Sequence, residues 1–317
     1  MSVSDNQVFL AGAMVEVKSA AEIAATLDAD GRLDGMPFMP EMLAFCGRRL
    51  KVNRRADKTC VEGFYGMRKL GGTVFLEQAR CDGAAHGGCQ RNCMMFWKDE
   101  WLRPAAQDQA VVVADLKAET KARRLLSNLP TKAGDKYACQ STALGEITQP
   151  QSKWAVGHLV TDLRRGELAP IDFVLMIGRT FVNRARGLFG LADLGSLIGG
   201  SDGKTRTALD LKPGEWVKIR SAEDIKATLG PDGRNLGLTF EPEMTRYIGG
   251  TYQVDFPVRS IILEETGEMA KLNRTVALKG LACQGICAKN CPRANTLYWR
   301  EAWLERVEAV GAERQSA

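Results

Sequence analysis

One sequence pattern occurs twice in this chain, and that repetition constrains the architecture more than any other feature. "VEVKSAAEIAATLDADGRLDGMPFMPEMLAFCG" begins at Val15, and "VKIRSAEDIKATLGPDGRNLGLTFEPEMTRYIGG" begins at Val217, 202 positions later. The offset persists. Ser19 meets Ser221, Pro40-Glu41-Met42 meets Pro242-Glu243-Met244, and Thr73-Val74 meets Thr275-Val276. Cys81 meets Cys283, Trp97 meets Trp299, and Trp101 meets Trp303. Two copies are too few for a solenoid, so a tandem duplication predicts two similar domains. A length of 317 residues fits that number.

Each copy reads alike. "VEVKS" and "VKIRS" alternate apolar and polar residues, as a strand with one buried face does. Ser19 and Ser221 are then placed to cap the short helices "AAEIAATL" and "AEDIKATL". The Asp-Gly stretches "DADGR" and "GPDGR" are turns. "RRLKVNRR" and "GTVFLEQAR", with "TYQVDFPV" and "RTVALKGLA" in the second copy, are strand-like, and "GTVFLEQAR" and "RTVALKGLA" lead straight into cysteines. "FWKDEWL" and "YWREAWL" set two tryptophans four residues apart, which suggests a closing helix with both rings in the core. Residues 106 to 213 differ in kind. "DLKAETKARRLLSNLP", "KWAVGHLVTDLRRGEL" and "PIDFVLMIGRTFVNRARGLF" read as helices, followed by a Gly-rich linker. The expected fold is α+β: two homologous, small, β-rich, barrel-like domains, each with a C-terminal helix, separated by a helical insert. The expected boundaries are 1–105, 106–213 and 214–317.

Composition narrows the function classes. Net charge is +5 over 43 basic and 38 acidic residues, too small and too mixed an excess to indicate nucleic acid. The first twenty residues lack a signal-peptide pattern, and no run reaches the length of a membrane span. A cytoplasmic location is therefore expected. There, nine cysteines point to metal ligands or reactive thiols rather than disulfides. No phosphate-binding glycine loop, dinucleotide fingerprint, zinc-protease motif or nucleophile elbow occurs. With two histidines in the chain, any chemistry falls to a metal.

The cysteines cluster. Copy one has Cys60, Cys81, Cys89 and Cys93, with His86 inside the cluster and Cys46 upstream. Copy two has Cys283, Cys287 and Cys291. Matching "GCQRNC" to "ICAKNC" aligns Cys89 with Cys287 and Cys93 with Cys291, which requires a four-residue slip in the offset. Structural zinc sites favour paired knuckles and four closed ligands, and neither copy has C-x2-C. Iron–sulfur clusters accept more varied thiolate spacings, and glycine-rich backbone can offer N–H groups to their sulfides. A [4Fe–4S] cluster in each repeat is the preferred expectation, with zinc as the alternative. The expected ligands are Cys60, Cys81, Cys89 and Cys93 in copy one. Copy two offers Cys283, Cys287 and Cys291, and either Cys139 closes that set or one iron stays open. His86 and Cys46 are the alternative ligands, although Cys46 reads better as a small buried residue. Glu41 and Glu243 read as turn or cap residues.

"PFMPEM", "KTC" and "CDGAAHGGCQRNC" followed by "FWKDEWL" resemble an uncharacterised bacterial family of cysteine-rich proteins, present here twice. The second copy keeps "CQGICAKNC" and "YWREAWL" but has no "KTC". The resemblance covers both copies and not the insert, and it implies no activity. The expected function is electron transfer, or accessory redox chemistry for a biosynthetic enzyme partner. The alternative is a zinc-stabilised binding module without catalysis. Neither reading involves nucleic acid or a transmembrane segment.

Overall fold

The computed structural model describes residues 8–64, 66–105, 115–152, 156–286 and 289–308. The fold is mixed α+β. It divides into two compact units. Unit 1 comprises residues 1–169 with 262–270 and 288–295, and unit 2 comprises 170–261, 271–287 and 296–317. Two short segments of the second repeat thus belong to the first unit. No helix among the described residues is long and apolar enough to cross a membrane.

Unit 1 is built on five antiparallel strands. These are β1 (Met14–Val17), β2 (Arg49–Arg55), β3 (Thr73–Leu76), β4 (Trp97–Lys98) and β5 (Leu102–Pro104), in the order β4-β3-β2-β1-β5. Val15, Val17, Val52, Val74 and Leu76 are fully or almost fully buried, as apolar strand positions facing a core should be. Ser19 caps helix α1 (Ala20–Ala24) with a capping box to Glu22, so the first turn's free N–H groups are satisfied. Helix α2 (Leu116–Ser127) adds Ala122 and Leu126 to the same core, and helix α3 (Gln140–Ile147) adds Leu144. Helix α4 (Gly157–Arg164) also belongs to unit 1.

Unit 2 begins with helix α5 (Pro170–Leu188). Its strands are β6 (Trp216–Ile219), β7 (Thr251–Pro257), β8 (Thr275–Ala282), β9 (Thr296–Arg300) and β10 (Leu304–Val307). They are ordered β9-β8-β7-β6-β10, the same path as in unit 1. A bulge interrupts β2 between Val52 and Arg54, and another interrupts β7 between Val254 and Phe256, 202 positions on. Ser221 caps helix α6 (Ala222–Thr228) as Ser19 caps α1. Trp101 donates its indole N–H to Thr26 Oγ1 at 3.1 Å, and Trp303 donates to Thr228 Oγ1 at 3.0 Å.

Two sequence expectations need correction. "FWKDEWL" and "YWREAWL" are not helices. Each runs strand, one 3-10 turn (Asp99–Trp101 or Glu301–Trp303), then strand. The first tryptophan sits on a paired strand and the second on the turn, so both rings reach the core without helical spacing. All four are fully buried, as expected. The helices between 106 and 213 do not form one insert either. Alpha-helices α2, α3 and α4 belong to unit 1 and α5 to unit 2, because the apolar faces of α2 and α3 complete the first core. Residues 106–114 and 153–155 lie outside the described residues.

The second-repeat segments in unit 1 meet their first-repeat equivalents reciprocally. Glu62 N–H donates to Glu264 Oε2 at 3.1 Å, and Glu264 N–H donates to Glu62 Oε2 at 3.4 Å. Arg91 donates to the Ile262 carbonyl at 2.9 Å, and Arg293 donates to the Cys60 carbonyl at 3.2 Å. Each pair of bonds interchanges when 202 is added to one partner and subtracted from the other. Glu264, almost wholly buried, pairs with both Arg91 and Arg293. Burial raises its carboxyl, but the two guanidiniums overcome that and hold it at about 2, against 4.5 in water.

A folded pKa below the unfolded one gives stability that is present above the unfolded value and lost as pH falls towards the folded one. Unit 1 is therefore expected to weaken between about pH 4.5 and about pH 2. Glu264→Ala should lower the unfolding free energy by about 3 kcal/mol at neutral pH, because it leaves the buried Arg293 guanidinium without its carboxylate, while Arg91 keeps Glu62 at 3.0 Å. Urea melts across that pH range check both. A Glu264→Ala melt that matches the parent would show that the pair adds nothing.

Candidate metal centre

The loop from Cys81 to Cys93 closes on itself. Cys81 N–H donates to the Cys93 carbonyl at 2.9 Å, and Arg80 bridges Met94 just outside. Asp82 Oδ1 accepts from Ala84 N–H at 3.0 Å and starts the turn. Gly83 is required. Its φ is +69°, and a Cβ there would lie 2.1 Å from the Cys89 carbonyl oxygen. Gly87, at φ +64°, would press a Cβ to 2.2 Å from the Tyr137 hydroxyl. These close approaches turn the chain inward and bring separated thiols to one place.

That place is a cavity of about 30 Å³ lined by Cys81, Cys89, Cys93 and Cys139, with His86, Arg91, Ser141 and Ile262 among its walls. Three of the four cysteines come from the loop. The fourth, Cys139, is the N-cap residue of α3, where the Thr142 hydroxyl accepts from its N–H at 2.9 Å. Ser141 donates to Cys93 Sγ at 3.5 Å. Ile262 N–H donates to Cys89 Sγ at 3.3 Å.

Burial and mutual charge govern these thiols. Burial pushes Cys81 well up, and the Glu41 carboxylate and the Cys93 and Cys139 thiolates push it further. Burial likewise raises Cys89, against N–H groups of Ile262 and Arg91 that favour its thiolate. Cys139 is pushed up to about 11 by burial and by Cys93, although N–H groups at the start of α3 oppose this. The thiols thus lie within one another's field. Burial favours the protonated form of Cys81, Cys89 and Cys139, and a bound metal would favour their thiolates.

His86 does not face the sulfurs as a ligand would. Nδ1 lies 2.7 Å from Glu41 Oε1 and Nε2 lies 3.1 Å from the Ala138 carbonyl, so both ring nitrogens are occupied. Its work is to tie the loop to two other segments. Glu41 also accepts from Ala85 N–H at 3.1 Å. Burial raises its carboxyl, and the bonds from His86 and Ala85 bring it below the usual carboxylate range. Glu243 does the equivalent work in unit 2. It accepts from Gln284 N–H at 2.7 Å and from Ile286 N–H at 3.1 Å. The cap role expected for Glu41 and Glu243 is thus replaced by one more specific. Each buries a carboxylate against the cysteine loop of its own repeat.

The remaining cysteines are distributed as follows. Cys60 does not line the cavity. Its sulfur lies 3.3 Å from Cys291 Sγ, and its N–H donates to that sulfur at 3.2 Å. This contact shares one proton: burial raises Cys291, but the Cys60 thiol and N–H groups bring it down to about 6, while Cys60 is raised well above the ordinary range. The bond from Cys60 N–H to Cys291 matches the bond from Ile262 N–H to Cys89 at the unbroken offset. The structural equivalent of Cys89 is therefore Cys291, and the four-residue slip read from sequence is not needed here. Cys46 is buried in the apolar core, and burial lifts its thiol to about 12. Cys283 is half-buried against the core of unit 2, with Gly285 N–H donating to its sulfur at 3.4 Å. Cys287 lies outside the described residues.

Among the described residues, no three His, Cys, Asp or Glu side chains converge tightly enough to close on one metal ion. An iron–sulfur cluster does not require that convergence, because its own iron and sulfide hold the thiolates apart. Compared with protein-family models, curated proteins and solved structures, the chain matches none of them.

Glu41→Ala removes the acceptor for Ala85 and the partner of His86. The expected result is a loss of about 2 kcal/mol in stability and amide exchange at least about tenfold faster over residues 82–89. Exchange unchanged in that loop would show that the glycines alone hold its shape.

Proposed function

We propose that this is an iron–sulfur protein with a cluster site in unit 1 formed by Cys81, Cys89, Cys93 and Cys139. The observation that carries the proposal is that four cysteines, drawn from a tight loop and a helix N-cap, line one small, partly open cavity. The donor set fits. It is all sulfur, its members repel one another as thiolates, and peptide N–H groups already point at Cys89 and Cys139. A bound [4Fe–4S] cluster would supply one-electron exchange. Arg91 on the cavity wall would offset part of its negative charge, and the close packing would keep water from it.

The ligand sets expected from sequence are revised in this proposal. Cys139 joins the first repeat's cysteines and leaves the second set. Cys60 leaves the first set and joins Cys291. With four thiols in the unit 1 set, its cluster needs no open iron. This favours electron transfer, or accessory redox chemistry for a biosynthetic enzyme partner, in the cytoplasm. The constant offset and the shared strand order support two homologous β-rich domains, barrel-like in build, that arose by tandem duplication.

Anaerobic purification, with iron, sulfide and zinc analysis and electron paramagnetic resonance after reduction, tests the proposal. The expected protein is brown and contains iron and sulfide in equal amounts. Cys139→Ala should lose the iron of the unit 1 cluster, and Cys46→Ala should lose none. A colourless protein with stoichiometric zinc would select the zinc-stabilised module instead. Full iron content in Cys139→Ala would remove Cys139 from the ligand set.

A further inference from the structure

Unit 2 contains a second feature, unrelated to the cysteines. A surface basin of about 450 Å³ is lined by Arg206, Leu236, Lys271, Asn273, Arg274 and Arg300. Four of these six residues are cationic and none is acidic. A neighbouring basin of about 550 Å³ shares Lys271, Asn273 and Arg274 and adds Lys212 and Arg259. Its two acidic residues are already engaged. Asp210 pairs with Lys212 at 2.7 Å, and the Glu301 carboxylate accepts N–H bonds from Leu209, Asp210 and Leu211.

Arg300 is the unusual member. It is 2 % exposed, yet it has no carboxylate partner among the described residues. Its guanidinium donates to the carbonyls of Asn235 at 3.1 Å, Leu236 at 2.6 Å and Asn273 at 2.6 Å, and to Thr275 Oγ1 at 2.8 Å. That uses four of five N–H donors. One Nη2 hydrogen has no partner among the described residues. Buried cations are ordinarily paired, because leaving one unpaired is costly. Burial pulls this guanidinium down to about 10, so it stays charged at neutral pH.

The other repeat shows what was removed. At the offset of 202, Lys98 stands where unit 2 has Arg300, and Asp34 stands where it has Leu236. Lys98 donates to Asp34 at 2.5 Å, so unit 1 neutralises its buried cation. Asp34 and Leu236 share a left-handed backbone, both at φ +48°. Aspartate tolerates that conformation better than leucine does. Arg274, at φ +53°, replaces Gly72, at φ +62°. At both positions unit 2 has exchanged a residue suited to the left-handed region for one that is strained there. Each exchange raises the local positive charge or uncovers it. Such strain persists where surrounding structure or function over-determines it.

We propose that this basin binds a phosphorylated small molecule with several negative charges. Arg206, Lys271 and Arg274 engage its oxyanions from the rim, and Arg300 supplies fixed charge and its remaining N–H from below. Guanidinium groups suit phosphate because two parallel N–H donors match two oxygens. The volume is that of a small-molecule site. Neither basin has an aromatic residue in its lining, so there is no platform on which a base could stack, and a single-stranded nucleic acid fits poorly.

Calorimetric titration of the full-length protein with inorganic pyrophosphate and with tripolyphosphate, at low ionic strength, tests this. Saturable one-to-one binding that weakens with added salt is expected. Arg206→Ala and Arg274→Ala should each weaken it at least about tenfold. Leu236→Asp rebuilds the Asp34 arrangement of the other repeat and should abolish binding, while circular dichroism and thermal melting show an intact fold. If that variant misfolds, the exposed Arg206 still decides, since its side chain can be removed without disturbing the core. Cys139→Ala should bind pyrophosphate as the parent does, which separates this site from the cluster. No saturable binding of either anion, or unchanged affinity in the arginine variants, would overturn the proposal. Tighter capture of a short single-stranded RNA than of tripolyphosphate would overturn the small-molecule assignment.

Discussion

Glu264 holds two arginines in a space almost closed to water, and much of unit 1 follows from that. Arg91 comes from the first cysteine loop and Arg293 from the second. The buried Glu264 carboxylate and the buried Arg293 guanidinium depend on each other, while Arg91 also pairs with Glu62 at 3.0 Å. The cluster therefore locks residues 262–270 and 288–295 against residues 60–62 and 91. It also fixes where the sulfurs are. Arg293 donates to Ser141 at 3.1 Å, and Ser141 in turn donates to Cys93. One ionic contact thus reaches the cavity through a single hydroxyl.

The reciprocal bonds show why unit 1 takes up pieces of the other repeat. A lone segment such as 60–62 would leave the N–H groups of Cys60 and Glu62 without these partners, while the Glu62 carboxylate would keep Arg91 of its own repeat. Its equivalent, 262–264, supplies them in mirrored order. Duplicated sequences have this option because each copy carries both halves of the contact. The result resembles domain swapping, but within one chain, where the second copy is always present at high effective concentration.

The strands, the Ser19 and Ser221 caps and the buried tryptophans were legible because they depend on local pattern: alternation, capping chemistry and aromatic burial. The loop glycines were legible as permission to fold back. What could not be read was long-range. Cys139 caps α3, whose sequence "QSTALGEI" has weak helical periodicity, and nothing local directs its thiol to the first loop. Cys60 pointed to the first loop by proximity in sequence, whereas the Glu264 cluster directs it to Cys291. Glu41 and Glu243 looked like turn residues because nothing local shows that they reach loops some forty positions away. A signal for them did exist. A carboxylate kept in both copies, next to proline in each, marks a position that the fold uses twice.

The two copies differ where side chains, not backbone, carry the task. Cys60 and Ile262 occupy equivalent positions, and each donates its N–H to the opposing loop's sulfur. The backbone role is common to both. Only Cys60 adds a thiol. The fourth sulfur lining the cavity beside Ile262 is that of Cys139, at the start of α3. The same logic governs Asp34 and Leu236. Their backbones share one conformation, while leucine in place of the exposed Asp34 carboxylate leaves a buried cation without a carboxylate partner among the described residues. Keeping the hydrogen-bonded frame in both copies preserves folding, so single side chains can change without loss of structure. Duplication here works as a scaffold in which one copy keeps a balanced site and the other is free to unbalance it.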